Sequence, residues 1–218
     1  MGGWNIPPFY LTNKLKQMAC NLTLGRKVDC KDSIGGLKMI YILPNFCSNI
    51  EESATIADLE MTDADFADWD TYGDPTSSKQ TLLQYDLRPD VSSMTVNFTS
   101  DPATGTTFFN QTLSITLQKI NHDSTNQLRL AAYNRSQIFV RDSMDNIFLL
   151  GMNGGVNVTG GTMVTGAAKG DLSGYTLEFS ADEKLPPIQV EPTAGPSTAN
   201  YPWDNLDDFS DIDFVKGV

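Results

Sequence analysis

The stretch GVNVTGGTMVTGAAKGDLSGYTLEF, Gly155–Phe179, decides how this chain is read. It holds six of the 17 glycines, and no charge occurs from Gly155 to Ala168. Such a run either cradles a phosphate or forms strands and turns that lie close to a neighbour. A phosphate-binding loop requires Gly, four residues, then Gly-Lys-Ser/Thr, so that backbone N–H groups and the Lys meet the phosphates. Gly161-Thr-Met-Val-Thr-Gly166 has the first spacing, but Lys169 arrives two residues late and no Ser or Thr follows it. No Gly-x-Gly occurs anywhere, so the dinucleotide fingerprint is absent as well. The structural reading wins: glycines supply positive φ at turns and let a neighbouring backbone approach. Uncharged Gly/Thr strands suit a crowded subunit boundary, and Gly155, Gly160, Gly161 and Gly166 are read as interface residues.

The pattern on either side of this stretch is β. Tyr175, Leu177, Phe179 and Ala181 alternate along one strand, and short strands Val156–Val158 and Thr162–Thr165 are expected around Gly160-Gly161. Asn153-Gly154 signals a type I′ turn. Ile138–Arg141 and Asn146–Leu150 flank the turn Asp142–Asp145 as a hairpin. Val91–Phe98 and Phe108–Lys119 form a second hairpin, with Thr81–Leu87 before them. Leu37–Leu43 reads as a strand with both faces buried. The period changes once. Ser124-Thr-Asn-Gln127 fits a capping box, and Leu128, Ala131 and Ala132 follow at helical spacing, which predicts one helix over about 123–135.

Strands with a single helix indicate a mainly β fold, a β-sandwich or open barrel with one packed helix. Three regions are expected: an arm at 1–36, the sandwich domain at 37–185 and a Pro-rich acidic tail at 186–218. The arm carries Trp4 and Phe9 and the tail carries Trp203, apolar anchors with no core of their own that order on a partner.

Hydrophobic residues make up 40% and charged residues 19%. Net charge is −12, with 27 acidic and 15 basic side chains, so the protein repels nucleic acid rather than gripping it. Cys20, Cys30 and Cys47 have no metal-ligand spacing and do not make a disulfide framework. No secretory signal or membrane span is read, and a cytosolic origin is expected. On that reading the five Asn-x-Ser/Thr sequons arise by chance. The acidic run Asp58–Asp74 contains Asp63, Asp65, Asp68 and Asp70 but lacks the Gly and Glu of a calcium loop, so a solvated acidic loop is expected. His122 is the only histidine, and no Gly-x-Ser-x-Gly elbow is present. Neither an enzyme nor a cofactor is expected.

Met18-Ala-Cys-Asn-Leu-Thr-Leu-Gly-Arg-Lys and Cys30-Lys-Asp-Ser-Ile-Gly-Gly-Leu-Lys resemble the start of structural proteins of tailed bacteriophages, especially crAss-like phages. Phe148–Gly155 and Thr165–Glu178 carry the same likeness, and the layout over residues 18–185 resembles the tail-tube fold. The resemblance implies a virion protein of the neck or tail, made in the bacterial host cytoplasm. Such proteins form homo-oligomeric rings, six- or twelvefold, around a channel through which DNA passes without specific binding. Their sheets join across subunits, and their arms reach adjacent neck, tail or portal proteins. On that view Asp63, Asp65, Asp68 and Asp70 face the channel. A carbohydrate- or receptor-binding module on a surface or virion protein is the alternative, with Trp69, Tyr72 and Trp203 as its aromatic candidates. A metal-dependent hydrolase using the acidic loop is a third.

Overall fold

Seven residues, Leu37-Lys-Met-Ile-Tyr-Ile-Leu43, show why one of the two sheets is covered on both sides. Ile40, Tyr41, Ile42 and Leu43 are all 3% exposed or less, so successive side chains pointing to opposite faces are equally buried. A strand buried on both faces reads as a continuous apolar run, and Met39–Leu43 does, after the exposed Lys38. By contrast, Thr106–Gln118 alternates Leu113, Ile115 and Leu117 with Thr112, Ser114 and Thr116, the mark of a sheet with one face covered.

The computed structural model describes residues 33–44, 60–61, 80–190 and 212–216. Its strands are β1 (Leu37–Leu43), β2 (Glu60–Met61), β3 (Gln80–Asp86), β4 (Ser93–Asp101), β5 (Thr106–Gln118), β6 (Gln137–Asp142), β7 (Ile147–Leu150), β8 (Asn157–Val164), β9 (Gly174–Glu183), β10 (Ile188–Val190) and β11 (Ile212–Lys216). One helix, α1 (His122–Tyr133), lies between β5 and β6. Sheet A has the order β11-β3-β1-β6-β7-β10-β2, and sheet B the order β4-β5-β9-β8. Pairing is antiparallel throughout sheet B. In sheet A only the outermost pairs, β11 with β3 and β10 with β2, are parallel.

The two sheets share one core. Ile40 and Ile42 of β1, Ile138 and Val140 of β6 and Leu150 of β7 meet Leu113 and Ile115 of β5 and Phe179 and Ala181 of β9. The expected β-sandwich with one helix is the observed architecture. Both predicted hairpins are present, β4 with β5 and β6 with β7.

Four local expectations are corrected. The helix is capped by Asn121, whose side chain accepts from the Ser124 N–H at 2.5 Å, so α1 starts at His122, ahead of the predicted 123–135. Asn and Ser are equivalent caps, and Asn121-His-Asp-Ser124 offered the cap one turn earlier. The two short strands around Gly160-Gly161 are one continuous β8, with a bulge between Val158 and Gly160 absorbing the break. The Asn153-Gly154 turn is not type I′: the left-handed residues are Gly151 and Gly155, at φ +69° and +71°, and Gly155 N–H closes onto Gly151 C=O at 2.9 Å. Finally, part of the predicted tail belongs to sheet A. Ile188 and Val190 of β10 are 1% and 3% exposed, and β11 pairs with β3. Pro186 and Pro187 stand just ahead of β10, where prolines are compatible with pairing.

Among the described residues no helix is long and apolar enough to cross a membrane.

Candidate assembly surface

Sheet B ends in two edges, β4 and β8, and neither has a further strand beside it among the described residues. Register assigns each side chain to a face, because residues directly opposite one another share one. On the face toward the core, β4 presents Met94, Val96 and Phe98, opposite Leu113, Gln111 and Phe109 of β5. On the same face, β8 presents Val158 and Met163, opposite Phe179 and Tyr175 of β9. These apolar rows lose their cover toward the edges. Phe98 is 72% exposed, although its ring meets Phe109 edge-to-face at 5.1 Å, and Met163 is 58% exposed. An uncovered strand edge with exposed apolar side chains is a template for pairing with another chain.

The opposite face of sheet B is polar. It carries Ser93, Thr95, Asn97 and Thr99 of β4, and Asn110, Thr112, Ser114 and Thr116 of β5. Thr176, Glu178, Ser180 and Asp182 of β9 and Asn157, Gly160 and Thr162 of β8 lie on it too, with two apolar residues among them, Phe108 opposite Thr99 and Val164 opposite Gly174. Neither Lys nor Arg occurs in any of these four strands. Short side chains hold one another across the strands. Asn110 Nδ2 donates to Asp182 Oδ1 at 2.7 Å and to Ser180 Oγ at 3.3 Å, and Thr112 Oγ1 donates to Asn110 Oδ1 at 3.2 Å. The hydroxyls of Thr162 and Thr176 also share a hydrogen bond.

The predicted glycines divide. Gly160 and Gly161 lie in the edge strand β8. A Cβ on Gly161 would stand 2.9 Å from both Leu177 Cδ2 and Thr176 O, so the close neighbour there is β9 of the same chain. Gly155 is buried in the turn before β8, and Gly166 lies in the turn after it at φ +71°. Trp4, Phe9 and Trp203 lie outside the described residues, as do Asp63, Asp65, Asp68 and Asp70 and the aromatics Trp69 and Tyr72. The acids that can be placed on the polar face are Asp101, Glu178 and Asp182. Hydrogen bonds from the Ala103 N–H and the Thr104 hydroxyl hold the Asp101 carboxyl below its ordinary range. The Asp171 carboxyl, in the β8–β9 turn, is lowered likewise by the N–H groups of Ala168 and Ala167.

A polar clamp ties this sheet to the loop that leaves the other one, and no spacing pattern announces it. Glu183, at the end of β9 and 4% exposed, accepts from Gly154 N–H at 2.7 Å and from Asn153 N–H at 3.1 Å. Gln111, 2% exposed, accepts from Gly151 N–H at 3.1 Å and donates to Leu185 C=O at 3.3 Å. The Arg135 guanidinium donates to the carbonyls of Gly154 and Asn153, and Gln137 Nε2 donates to Met152 C=O at 3.0 Å. The partners lie up to 74 residues apart, far beyond any local pattern.

Helix α1 packs lightly. Leu128 is its one buried residue, while Leu130 is 50% and Tyr133 87% exposed. The Tyr175 hydroxyl shares a 2.5 Å hydrogen bond with Thr125 Oγ1 and donates to Asn121 C=O at 3.2 Å, tying the helix start to β9. Between α1 and the strands β1 and β3 runs a groove of about 510 Å³, lined by Ile42, Leu83, Tyr85, Leu130 and Tyr133 among others. Burial raises the Tyr85 hydroxyl's pKa. His122 is solvent-facing, 3.5 Å from Asp123. No cluster of three or more potential metal ligands occurs among the described residues. Comparison of the chain with protein-family models, curated proteins and solved structures finds no match.

Proposed function

We propose that this chain is a structural subunit of a phage neck or tail ring or tube, closing into a cyclic homo-oligomer around the DNA channel by joining sheet B edge to edge. One observation carries the reading: sheet B has four strands, all antiparallel, and among the described residues both its edges are open. In an even-numbered antiparallel sheet the two edge strands run in opposite directions. A rotated copy therefore places its β4 antiparallel to β8 of its neighbour, and the ladder continues without a change of pattern. Such a head-to-tail contact closes into a ring when the rotation closes. The uncovered apolar residues Phe98 of β4 and Met163 of β8 lie on the same face, one on each side of that seam, Phe98 level with Glu183 and Met163 level with Leu117.

The polar face then lines the channel. With no Lys or Arg in its strands it has nothing to hold a phosphate, and DNA slides past. Six copies would make a barrel of about 24 strands; at ~4.8 Å per strand and a tilt near 40°, its diameter is about 50 Å, ample for a duplex. The overall net charge of −12 supports the same role, as does the lack of a recognisable catalytic constellation in the sequence. Partners in this reading are further copies and the adjacent neck, tail or portal proteins.

Native mass measurement followed by cryo-EM of the purified protein, or of virions, tests it. Closed rings with β4 seated on a neighbour's β8 are expected. A monomer at tens of micromolar that binds a glycan on an array would replace this reading with the binding-module alternative.

A further inference from the structure

The two ends of sheet B differ. At one end the β4–β5 hairpin outruns its neighbour. Strand β9 stops opposite Phe109, while β4 and β5 continue through three more pairs, Thr99 with Phe108, Ser100 with Thr107 and Asp101 with Thr106. No third strand flanks these pairs among the described residues. Two strands alone are marginal in water, but this tip is fastened from within. The Gly105 N–H donates to the Asp101 carbonyl at 2.9 Å, and the Ala103 N–H donates to the Asp101 carboxylate at 2.8 Å. The hydroxyls of Ser100 and Thr107 share a 3.0 Å hydrogen bond. On the polar face the tip presents Phe108, 39% exposed, and Asp101, the one charged residue from Thr99 to Phe108. Asp101 makes no ion pair among the described residues.

At the other end of the same face lies a hollow of about 660 Å³, lined by Val91, Thr116, Lys119, Asp171 and Leu172 among others. Val91 is 45% exposed there. Lys119 holds φ +67°, a left-handed conformation that is unfavourable for a residue with a Cβ. Its N–H donates to the Ser173 carbonyl at 2.8 Å, so the β8–β9 turn locks it in place at the rim. Lys119 is exposed and makes no ion pair among the described residues. The Asp171 carboxylate is engaged by its own turn, accepting from the N–H groups of Ala167 and Ala168 at 2.9 and 2.7 Å. With Arg88 and Lys169 nearby in the chain, positive charge exceeds that of Asp90 and Asp171 at this end.

We infer that sheet B docks end to end on a second copy: the hairpin tip of one subunit enters the hollow of the next, with Phe108 against Val91 and Leu172 and Asp101 beside Lys119. The inference rests on the ring proposed above and stacks one ring on another. Tip and hollow stand at opposite ends of the 13-residue strand β5, about 40 Å apart, so they cannot meet within one chain. A contact between two different patches propagates from head to tail. One such contact is far smaller than a stable interface, but a sixfold ring makes all of its contacts at once.

Sedimentation velocity and negative-stain electron microscopy of the full chain test this. Wild-type rings should stack in low salt and separate as salt screens the contact. Asp101→Asn keeps an acceptor for the Ala103 N–H and loses the charge. Lys119→Gln loses the opposite charge, and Phe108→Ser loses the apolar contact. Each variant should give folded single rings, with folding checked by circular dichroism. A twofold weakening per contact, ordinary for an exposed ion pair, becomes about 60-fold across a sixfold ring. Wild-type rings that stay single at tens of micromolar, or any folded variant that stacks as the wild type does, overturn the inference and leave the ring standing. A wild-type monomer overturns the inference and the proposed function together.

Discussion

The Glu183 carboxylate at the end of sheet B accepts from the Gly154 backbone N–H at 2.7 Å, in the loop that leaves sheet A. The loop also gives it the Asn153 N–H. A charged acceptor shared by two amides fixes the loop that carries the chain from β7 to β8, and so sets where the β8 edge lies. Hydrogen bonds to a charged group contribute about 1.5–3 kcal/mol each, and a buried amide left unpaired costs about 1–3 kcal/mol. Glu183→Ala is expected to lower unfolding free energy by about 3 kcal/mol. Glu183→Gln, which keeps an acceptor oxygen, should cost about 1 kcal/mol. Urea denaturation measures both, and equal losses for the two variants would show that the carboxylate's acceptor role is not what matters.

Gly155 and Gly161 should be sensitive for different reasons. Gly155 has φ +71°, where a Cβ costs about 1–2 kcal/mol. Gly161 has ordinary φ, but a Cβ would press on Leu177 and the Thr176 carbonyl at 2.9 Å. Gly161→Ala is expected to cost about 1–2 kcal/mol, by displacing β8 from β9. Gly170→Ala is the control, because nothing lies within 4 Å of a Cβ there, and it should stay within about 0.5 kcal/mol. Thermal unfolding of the three variants separates them, and an unaffected Gly161→Ala would show that β8 adjusts freely.

Phe98 and Met163 are expected to matter to assembly and not to folding. Both are mostly exposed in the single chain: Met163→Lys should change its stability by no more than about 0.5 kcal/mol, and Phe98→Lys, which also loses the edge-to-face contact with Phe109, by about 1 kcal/mol, neither enough to unfold it. A charge buried at the β4–β8 seam without a partner is strongly unfavourable. Sedimentation velocity should show each variant as folded monomer at concentrations where the wild type is a ring. Assembly that survives both substitutions would rule out the seam.

Asp145 supplies an acid-sensitive contact. Partial burial opposes its ionisation, but hydrogen bonds and charge from Lys38 at 2.8 Å and Arg141 at 2.8 Å outweigh it, so its carboxyl titrates below the ordinary range. A carboxyl whose folded pKa is depressed adds stability above its unfolded pKa, near 3.9, and that stability is lost as pH falls through the lower folded value. Asp145→Asn should therefore destabilise at neutral pH. The difference from wild type should shrink steadily below about pH 4. A gap between the two unfolding curves that is constant from pH 7 to pH 3 would contradict this.

What could be read in advance followed from periodicity. Met39–Leu43 is a run of apolar residues in a sheet buried on both faces, and Leu113, Ile115 and Leu117 alternate in a sheet with one covered face. Both patterns are local, and both were legible. Where two local signals competed, the choice was less secure. Asn121 and Ser124 are comparable caps, and only the Asn121 side chain's bond to the Ser124 N–H decides between them. Asn153-Gly154 has turn chemistry, yet Gly151 and Gly155 take the positive φ because the amides of Asn153 and Gly154 face Glu183. The clamp itself was beyond reach, since Glu183 meets a loop about 30 residues away without any spacing rule. The glycine run was legible as strands and turns. That its two edge-strand glycines border β9 of the same chain, and that Phe98 and Met163 are exposed on the core-side face at the two edges of sheet B, required the structure.

Glu178 tests whether the polar face of sheet B lines the channel of the proposed ring. It is exposed on the polar face of sheet B, opposite Gly160, where a Lys fits without disturbing the core. Glu178→Lys should leave subunit folding and ring formation intact while setting a circle of positive charge in the channel. Wild-type rings are expected to release duplex DNA at all but the lowest salt. Rings of Glu178→Lys should retain it, and a circle of six phosphate contacts would lose on the order of 10³-fold in affinity between 50 and 200 mM salt. Fluorescence anisotropy of a labelled duplex over a salt series reads this directly. If the variant forms rings and still ignores DNA, the polar face of sheet B does not line the proposed channel.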